Sequence, residues 1–231
     1  MQKKDYISMS VIRRLPRYYR FLREMRRQGE TRTSSKELSE RMGFTASQIR
    51  QDFNCFGGFG QQGYGYNVSV LCEEIEKILG LHYGHKSILV GAGNLGRVIA
   101  AHVPFERLGF ELAAAFDTNP ELFGKRIGSL EILDAAKMED YITENAPVMA
   151  ILCVPKEAVH STVKSIYELG LRNFWNFSHY DITLEFPDAT VENVHLNDSI
   201  MTLCYKISAQ IKPDSSVTPS SISYSNPRPT A

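Results

Sequence analysis

Cysteine is scarce and scattered. Cys55, Cys72, Cys153 and Cys204 form no CxxC pair and no Cys/His cluster. Neither a zinc site nor a disulfide framework is indicated, and the expectation is no metal and a reducing compartment. No apolar run is long enough to span a bilayer, and no signal peptide precedes the basic start of the chain. These absences point to a soluble, cytoplasmic protein without membrane contact. Paired catalytic groups are missing too. His160, His179 and His195 each stand apart, whereas hydride transfer to a carbonyl needs a placed acid or base.

Net charge is absent only on average. Lys and Arg together number 26, as do Asp and Glu. Residues 1–50 hold thirteen basic against five acidic side chains, and the remainder holds thirteen against twenty-one. A basic N-terminal module suits a polyanion, and the acidic remainder resists one.

Within the basic module, Leu15, Tyr19, Leu22 and Met25 continue a helical period begun at Ile12. Pro16 moves the helix start to about Leu15, and Gly29 ends it. Ser34-Ser-Lys-Glu37 is a capping box for a helix over 35–42 that stops at Gly43. Thr45 caps the next helix, which runs from Ala46 to about Cys55 with Ile49 and Phe53 inward. Two short helices around a glycine turn make a helix-turn-helix. The second offers Ser47, Gln48, Arg50, Gln51 and Asn54 outward. The glycine- and aromatic-rich stretch 57–66, with Gln61 and Gln62 at its centre, suits the wing of a winged helix. Arg14 and Arg17 are the expected phosphate contacts. A further helix is predicted over 70–79, with a domain boundary at 80–85.

Beyond Lys86, apolar strands alternate with helices. The spacing predicts strands at 87–90, 112–117, 148–154, 173–177 and 190–194, with helices at 95–103, 134–145 and 156–169. That is an α/β fold with a parallel sheet covered on both faces. Gly91-Ala92-Gly93-Asn94-Leu95-Gly96 joins the first strand to the first helix, and Asp117 closes the second strand. This is the dinucleotide fingerprint in its strand–turn–helix context. Gly91 permits the tight turn, Gly93 lets the backbone approach a pyrophosphate, and Gly96 permits close helix–strand packing. A carboxylate at Asp117 accepts from ribose hydroxyls and repels a 2′-phosphate, which favours NAD(H) over NADP(H). Ile200, Leu203, Ile207 and Ile211 then form one apolar stripe on a last helix over about 197–211, which packs on its own domain or across a dimer. Residues 213–231 are rich in Pro and Ser and are expected to be disordered.

Three functions fit these features: a nucleotide-responsive DNA-binding regulator, a small NAD-dependent oxidoreductase, or a nucleotide-binding regulator that no longer binds DNA. No stretch the size of a substrate domain follows the nucleotide fingerprint, which disfavours the enzyme.

Arg14-Leu-Pro-Arg-Tyr-Tyr-Arg20, Thr33–Leu38, Ile49-Arg-Gln-Asp-Phe53, Phe56–Gly60 and Gly63–Val68 resemble, in order, the N-terminal domain of the Rex family of redox-sensing repressors. The resemblance continues through Gly91–Gly96, Phe116-Asp117, Val154-Pro155, Asn176-Phe177 and Val191–Val194, and covers about residues 10–210. It implies a homodimer on an inverted-repeat operator in double-stranded DNA. It implies a winged-helix domain over 1–83, a Rossmann domain over 84–195 and a C-terminal helix over 196–212 exchanged with the partner. NADH would release DNA and NAD+ would permit binding. Val154, Pro155, Asn176 and Phe177 would line the nicotinamide end, with Leu196 reaching it from the partner. Arg20 would link the two domains in a network with His102 and His195. This chain departs from the family at several positions. Gln51 and Gln62 stand where basic residues are usual, which implies weaker or altered DNA binding. His102 stands for Tyr and His195 for Asp, which implies a weakened or pH-dependent NAD+ state.

Overall fold

The computed structural model describes residues 7–57, 60–61 and 64–210. The N-terminal part opens with a short helix α1 (Met9–Ile12) and continues in α2 (Leu15–Arg27), with Pro16 in its first turn. Ile12 thus belongs to a separate turn rather than to α2. The expected stripe gains Tyr18, which is fully buried. Strand β1 (Arg32–Thr33) leads to α3 (Ser35–Met42) and α4 (Ala46–Asn54). Ser34 Oγ accepts from the Glu37 N–H at 3.1 Å, and Thr45 Oγ1 accepts from the Gln48 N–H at 3.1 Å. Each cap satisfies a helix-end donor that has no partner within the helix. Strands β2 (Gly60–Gln61) and β3 (Gly65–Asn67) pair antiparallel, and β3 also pairs with β1. This three-stranded sheet is the wing. Helix α5 (Val68–Leu79) closes the domain at Gly80.

A nine-residue helix such as α4 does not persist alone in water. Ile49 and Phe53 hold it, both fully buried among Leu15, Leu22, Leu38 and Leu71. Phe53 meets Tyr18 at 5.0 Å and the β3 residue Tyr66 at 5.1 Å between ring centroids. One aromatic cluster therefore ties the second helix of the helix-turn-helix to both α2 and the wing.

The second part is a seven-stranded sheet. In chain order its elements are β4 (His85–Val90), α6 (Asn94–His102), β5 (Phe110–Asp117), β6 (Arg126–Ile127), β7 (Leu130–Asp134), α7 (Met138–Asn145), β8 (Met149–Leu152), α8 (Lys156–Glu168), β9 (Asn173–Asn176) and β10 (Thr190–Asn193). The strand order is β10-β9-β8-β4-β5-β7-β6, parallel except for the edge strand β6. Without β6 this is the doubly wound Rossmann order, which reverses direction between β4 and β8. Apolar clusters fill both faces: Ile88, Phe116, Val159 and Phe174 on one, Leu89, Ile99, Ala115 and Ile151 on the other. The strand predicted over 148–154 is shorter, because the chain leaves the sheet at Cys153 to enter α8.

Helix α9 (Leu196–Gln210) ends the described residues and buries none of its own side chains. Ile211 and the Pro/Ser-rich segment 213–231 lie outside the described residues.

Candidate functional site

The glycine-rich turn sits at the carboxyl end of β4, at the point where strand order reverses. Gly91 has φ +94°, and a Cβ there would lie 2.5 Å from the Cys153 carbonyl oxygen on the neighbouring strand. A Cβ on Gly96 would enter the Gly91 carbonyl oxygen itself. Both positions require glycine. Gly93 is different, since a Cβ there would meet no protein atom within 4 Å. Its openness matches a place where a ligand comes up to bare backbone. Gly93 also caps α6 without a side-chain hydrogen bond. The first N–H groups of α6, from Asn94 and Leu95, therefore face outward at the positive end of the helix dipole, a setting for phosphate. Asn94 Oδ1 accepts from Arg97 at 2.8 Å.

Asp117 reaches this turn from the end of β5. Its Oδ2 accepts from the Ala92 N–H at 2.7 Å and its Oδ1 from the Asn119 N–H at 2.8 Å. Each oxygen keeps a lone pair for a ribose hydroxyl. Asp117 thus shapes the turn and keeps acceptor capacity beside it.

At the other end of the crevice Val154 is half-buried and Pro155 exposed at the start of α8. Phe177 is half-buried beside Trp175, with ring centroids 4.8 Å apart. Asn176 departs from expectation. It is fully buried, and its amide is used internally: Nδ2 donates to Tyr180 O and Asn193 Oδ1, while Oδ1 accepts from the Ser178 N–H and hydroxyl. Its side chain holds the loop after β9, with both amide atoms engaged inside the fold. Cys153 is half-buried here, and burial alone pushes its thiol up to about 12. It stays protonated and unreactive at neutral pH.

In the N-terminal part, Ser47, Arg50, Gln51 and Asn54 lie exposed along α4. The two expected phosphate contacts on α2 are otherwise engaged. Arg14 makes a two-pronged contact with Asp52, Nε to Oδ2 and Nη2 to Oδ1, each at 2.7 Å. Arg17 donates to the Met42 carbonyl at 2.6 Å and lies over the Phe44 ring. Arg14 is turned inward against Asp52, whereas Arg17 holds Met42 with one nitrogen and stays exposed. Asp52 was missed by sequence reasoning. The signal was an acid at the inward 49/52/53 face of α4, where a lone carboxylate needs a partner. Gln61 is described in its backbone only, and Gln62 lies outside the described residues.

Arg20 lies exposed on α2, His102 exposed at the end of α6, and His195 just before α9. The structure does not bring them together within one chain: no hydrogen bond, ion pair or ring contact joins any two of them. His195 instead stacks on His179 at 5.5 Å, with its Nδ1 3.6 Å from Asp198 and its Nε2 buried without a partner.

Comparison with known proteins agrees with this geometry. A family model described as "Putative DNA-binding protein N-terminus" matches residues 6–54, and one described as "CoA binding domain" matches residues 82–180. The chain is 50% identical over 210 residues to the "Redox-sensing transcriptional repressor Rex" of Caldanaerobacter subterraneus subsp. tengcongensis, covering 91% of this chain and 93% of that one. It is 51% identical over 206 residues to the protein of the same name from Clostridium perfringens, covering 89% and 96%. Among solved structures it resembles RSP in complex with beta-NAD+ and operator DNA, with TM-score 0.83 and 48% identity over 89% of this chain and 94% of that one. It also resembles RSP in complex with beta-NADH, with TM-score 0.81 and 46% identity over 89% and 96%. With a helix-turn-helix and wing ahead of a Rossmann sheet, and with half its residues shared along nine-tenths of its length, the chain belongs to the Rex family of redox-sensing transcriptional repressors.

Proposed function

We infer that this protein is a transcriptional repressor that binds operator DNA and reads the NADH/NAD+ ratio. The observation that carries this reading is one chain holding both an outward polar face on α4 beside a wing and a pyrophosphate cradle at Gly91–Gly96. It is a regulator, and its ligand is NAD(H). Asp117 at the ribose end supports NAD(H) over coenzyme A or NADP(H), since both alternatives carry an extra phosphate on the adenosine ribose.

The working division is a winged-helix domain over 1–83, a Rossmann domain over 84–195 and an exchanged helix over 196–212, in a cytoplasmic homodimer. Gly91, Ala92, Gly93, Asn94, Leu95, Gly96 and Asp117 hold the adenosine and pyrophosphate. Val154, Pro155 and Phe177 flank the nicotinamide, with Leu196 contributed by the partner. Ser47, Arg50, Gln51 and Asn54 face the operator, with Gln61 and Gln62 on the wing. NADH shifts the population toward a dimer whose winged helices no longer match the operator half-sites. Arg20, His102 and His195 link the two domains across the dimer. With histidine at 195 in place of the family's acid, Arg20 loses an anionic partner and the DNA-competent NAD+ state is weakened.

A gel shift with genomic fragments, with and without NADH, tests this. A fragment should be retained, and NADH should release it. A chain that retains no fragment, or holds one regardless of NADH, overturns the repressor reading. His195→Asp should strengthen retention with NAD+, and unchanged retention removes His195 from the switch.

Gln51 offers no charge to a phosphate. Gln51→Lys should add one phosphate contact per subunit and steepen the log–log salt dependence of binding by about 1.8 per dimer. An unchanged slope would take Gln51 off the DNA face.

A further inference from the structure

At Gly109 the two parts of the chain meet backbone to backbone. Gly109 has φ +80°, and a Cβ there would lie 2.8 Å from Leu81 Cα, 2.9 Å from the Gly80 carbonyl oxygen and 3.0 Å from the Leu81 carbonyl carbon. Gly80 and Leu81 begin the segment that joins α5 to β4. A side-chain contact can yield by rotating. A contact between two backbones yields only if one segment moves.

Each side of this contact is tied to its own core. The Leu81 N–H donates to the Glu76 carbonyl of α5 at 3.1 Å, and its side chain packs on the apolar cluster that holds α2, α4 and α5. Gly109 ends a helical turn, Phe105–Leu108. Its carbonyl accepts from the His85 N–H at 2.8 Å, where β4 begins. Phe105 is buried with Leu89, Ile99 and Ile151 in the core of the sheet.

The same turn is joined to both ends of the dinucleotide crevice. Only Val103 and Pro104 separate it from α6, whose first N–H groups face the pyrophosphate site. The Phe105 ring meets Trp175 at 6.4 Å between centroids, and Trp175 in turn meets Phe177. Phe177 flanks the nicotinamide in the reading above, and the nicotinamide is the ring that differs between NAD+ and NADH.

We propose that the contact of Gly109 with Gly80–Leu81 passes the state of the bound dinucleotide to the winged-helix domain. Gly109 is then a positioning residue that touches neither ligand. A shift of Trp175 or of α6 moves the packed turn as a unit, because a close-packed interior transmits strain. Gly109 presses on or releases the Gly80–Leu81 backbone, and α5 carries the change into the core it shares with α2 and α4. The proposal rests on the NADH-responsive repressor reading and assigns the residue that couples its two sites.

The test compares Gly109→Ala with Gly84→Ala in the full chain. Both positions have positive φ, +80° and +64°, so both alanines carry left-handed strain. A Cβ at Gly84 meets no heavy atom within 4 Å, so only Gly109→Ala also wedges the joining segment away. The wedge holds the two parts in one arrangement whichever dinucleotide is bound. Affinity for a DNA fragment that the unaltered chain retains is measured with NAD+ and with NADH, and NADH binding is measured without DNA. Gly109→Ala should reduce the ratio of the two DNA affinities at least ~5-fold while NADH still binds, and Gly84→Ala should keep the ratio. An unchanged ratio in Gly109→Ala, or an equal loss in Gly84→Ala, overturns the proposal. If the unaltered chain itself binds DNA equally with NAD+ and NADH, the repressor reading fails and takes this proposal with it. Hydrogen exchange on the unaltered chain needs no variant and decides the matter if Gly109→Ala fails to fold or to hold DNA. NADH should change exchange at the Leu81 and Tyr83 amides, which donate to Glu76 and Gly80, and unchanged exchange at both overturns the proposal.

Discussion

Gly96→Ala is expected to abolish dinucleotide binding while leaving the N-terminal domain folded. The new Cβ would enter the Gly91 carbonyl oxygen and lie 3.1 Å from its carbon. That neighbour is backbone, so relief requires moving the whole turn. Overpacking of this kind costs about 1–3 kcal/mol. The shift also turns the first α6 N–H groups away from the phosphates, and a hydrogen bond to a charged group is worth about 1.5–3 kcal/mol. Together they put the loss of NADH affinity at ~100-fold or more, read by calorimetry or by NADH fluorescence. DNA retained by the variant should no longer be released by NADH. Gly93→Ala is the contrasting case. Its Cβ meets no protein atom within 4 Å, so thermal stability should hold while affinity falls through the ligand side alone. If Gly96→Ala binds NADH as the unaltered chain does, the turn is not the pyrophosphate cradle.

The second large effect is expected at Asp52. It is 2% exposed and accepts three hydrogen bonds at 2.7 Å, two from Arg14 and one from the Tyr18 hydroxyl. Asp52→Ala strands a buried hydroxyl and a mostly buried guanidinium. Breaking one side of a buried ion pair costs about 3–5 kcal/mol. The Arg14 side chain keeps 20% of its exposure and recovers some hydration, so about 3 kcal/mol is the appropriate figure. At ~4–8 °C per kcal/mol for a domain of this size, the melting midpoint of the N-terminal domain should fall by more than ~10 °C. NADH binding by the Rossmann domain should be unchanged. Tyr18→Phe, which loses one hydrogen bond to the buried carboxylate, should cost about 1.5–3 kcal/mol. Burial, followed by the Asp52 contact, raises the Tyr18 hydroxyl above its ordinary value. Its contribution is therefore complete at neutral pH and declines only as pH rises past about 10, the unfolded value. If Asp52→Ala melts like the unaltered chain, the cluster is not what joins α4 to α2.

What could be read along the chain followed short-range rules. Ser34 and Thr45 as caps and Gly43 and Gly80 as stops sit where the structure has them, because a helix end depends on residues three or four positions away. The alternation of apolar strands and helices gave the parallel sheet for a similar reason. The fingerprint was legible because Gly91 and Gly96 are demanded by a turn that closes within six residues. The chain pattern marks Ile127 and Ile132 only as short extended pieces and says nothing of their partners; β6 and β7 form a hairpin and β7 joins β5. Pairing depends on which edge is free, and that is set by the whole sheet.

The contacts of the expected site residues have the same explanation. Arg14, Arg17 and Asn176 carry groups that could serve DNA or nicotinamide, and each has a partner that only folding brings near. Arg14 meets Asp52, 38 positions along the chain, Arg17 meets Met42, and Asn176 meets Asn193. The residue sequence by itself determined the local elements, the glycine turn with its carboxylate, and the segregation of charge into a basic N-terminal part. Tertiary structure alone decided which polar groups are left over to act. A hydrogen bond made inside the fold is settled by distance in space, and spacing along the chain carries no record of it.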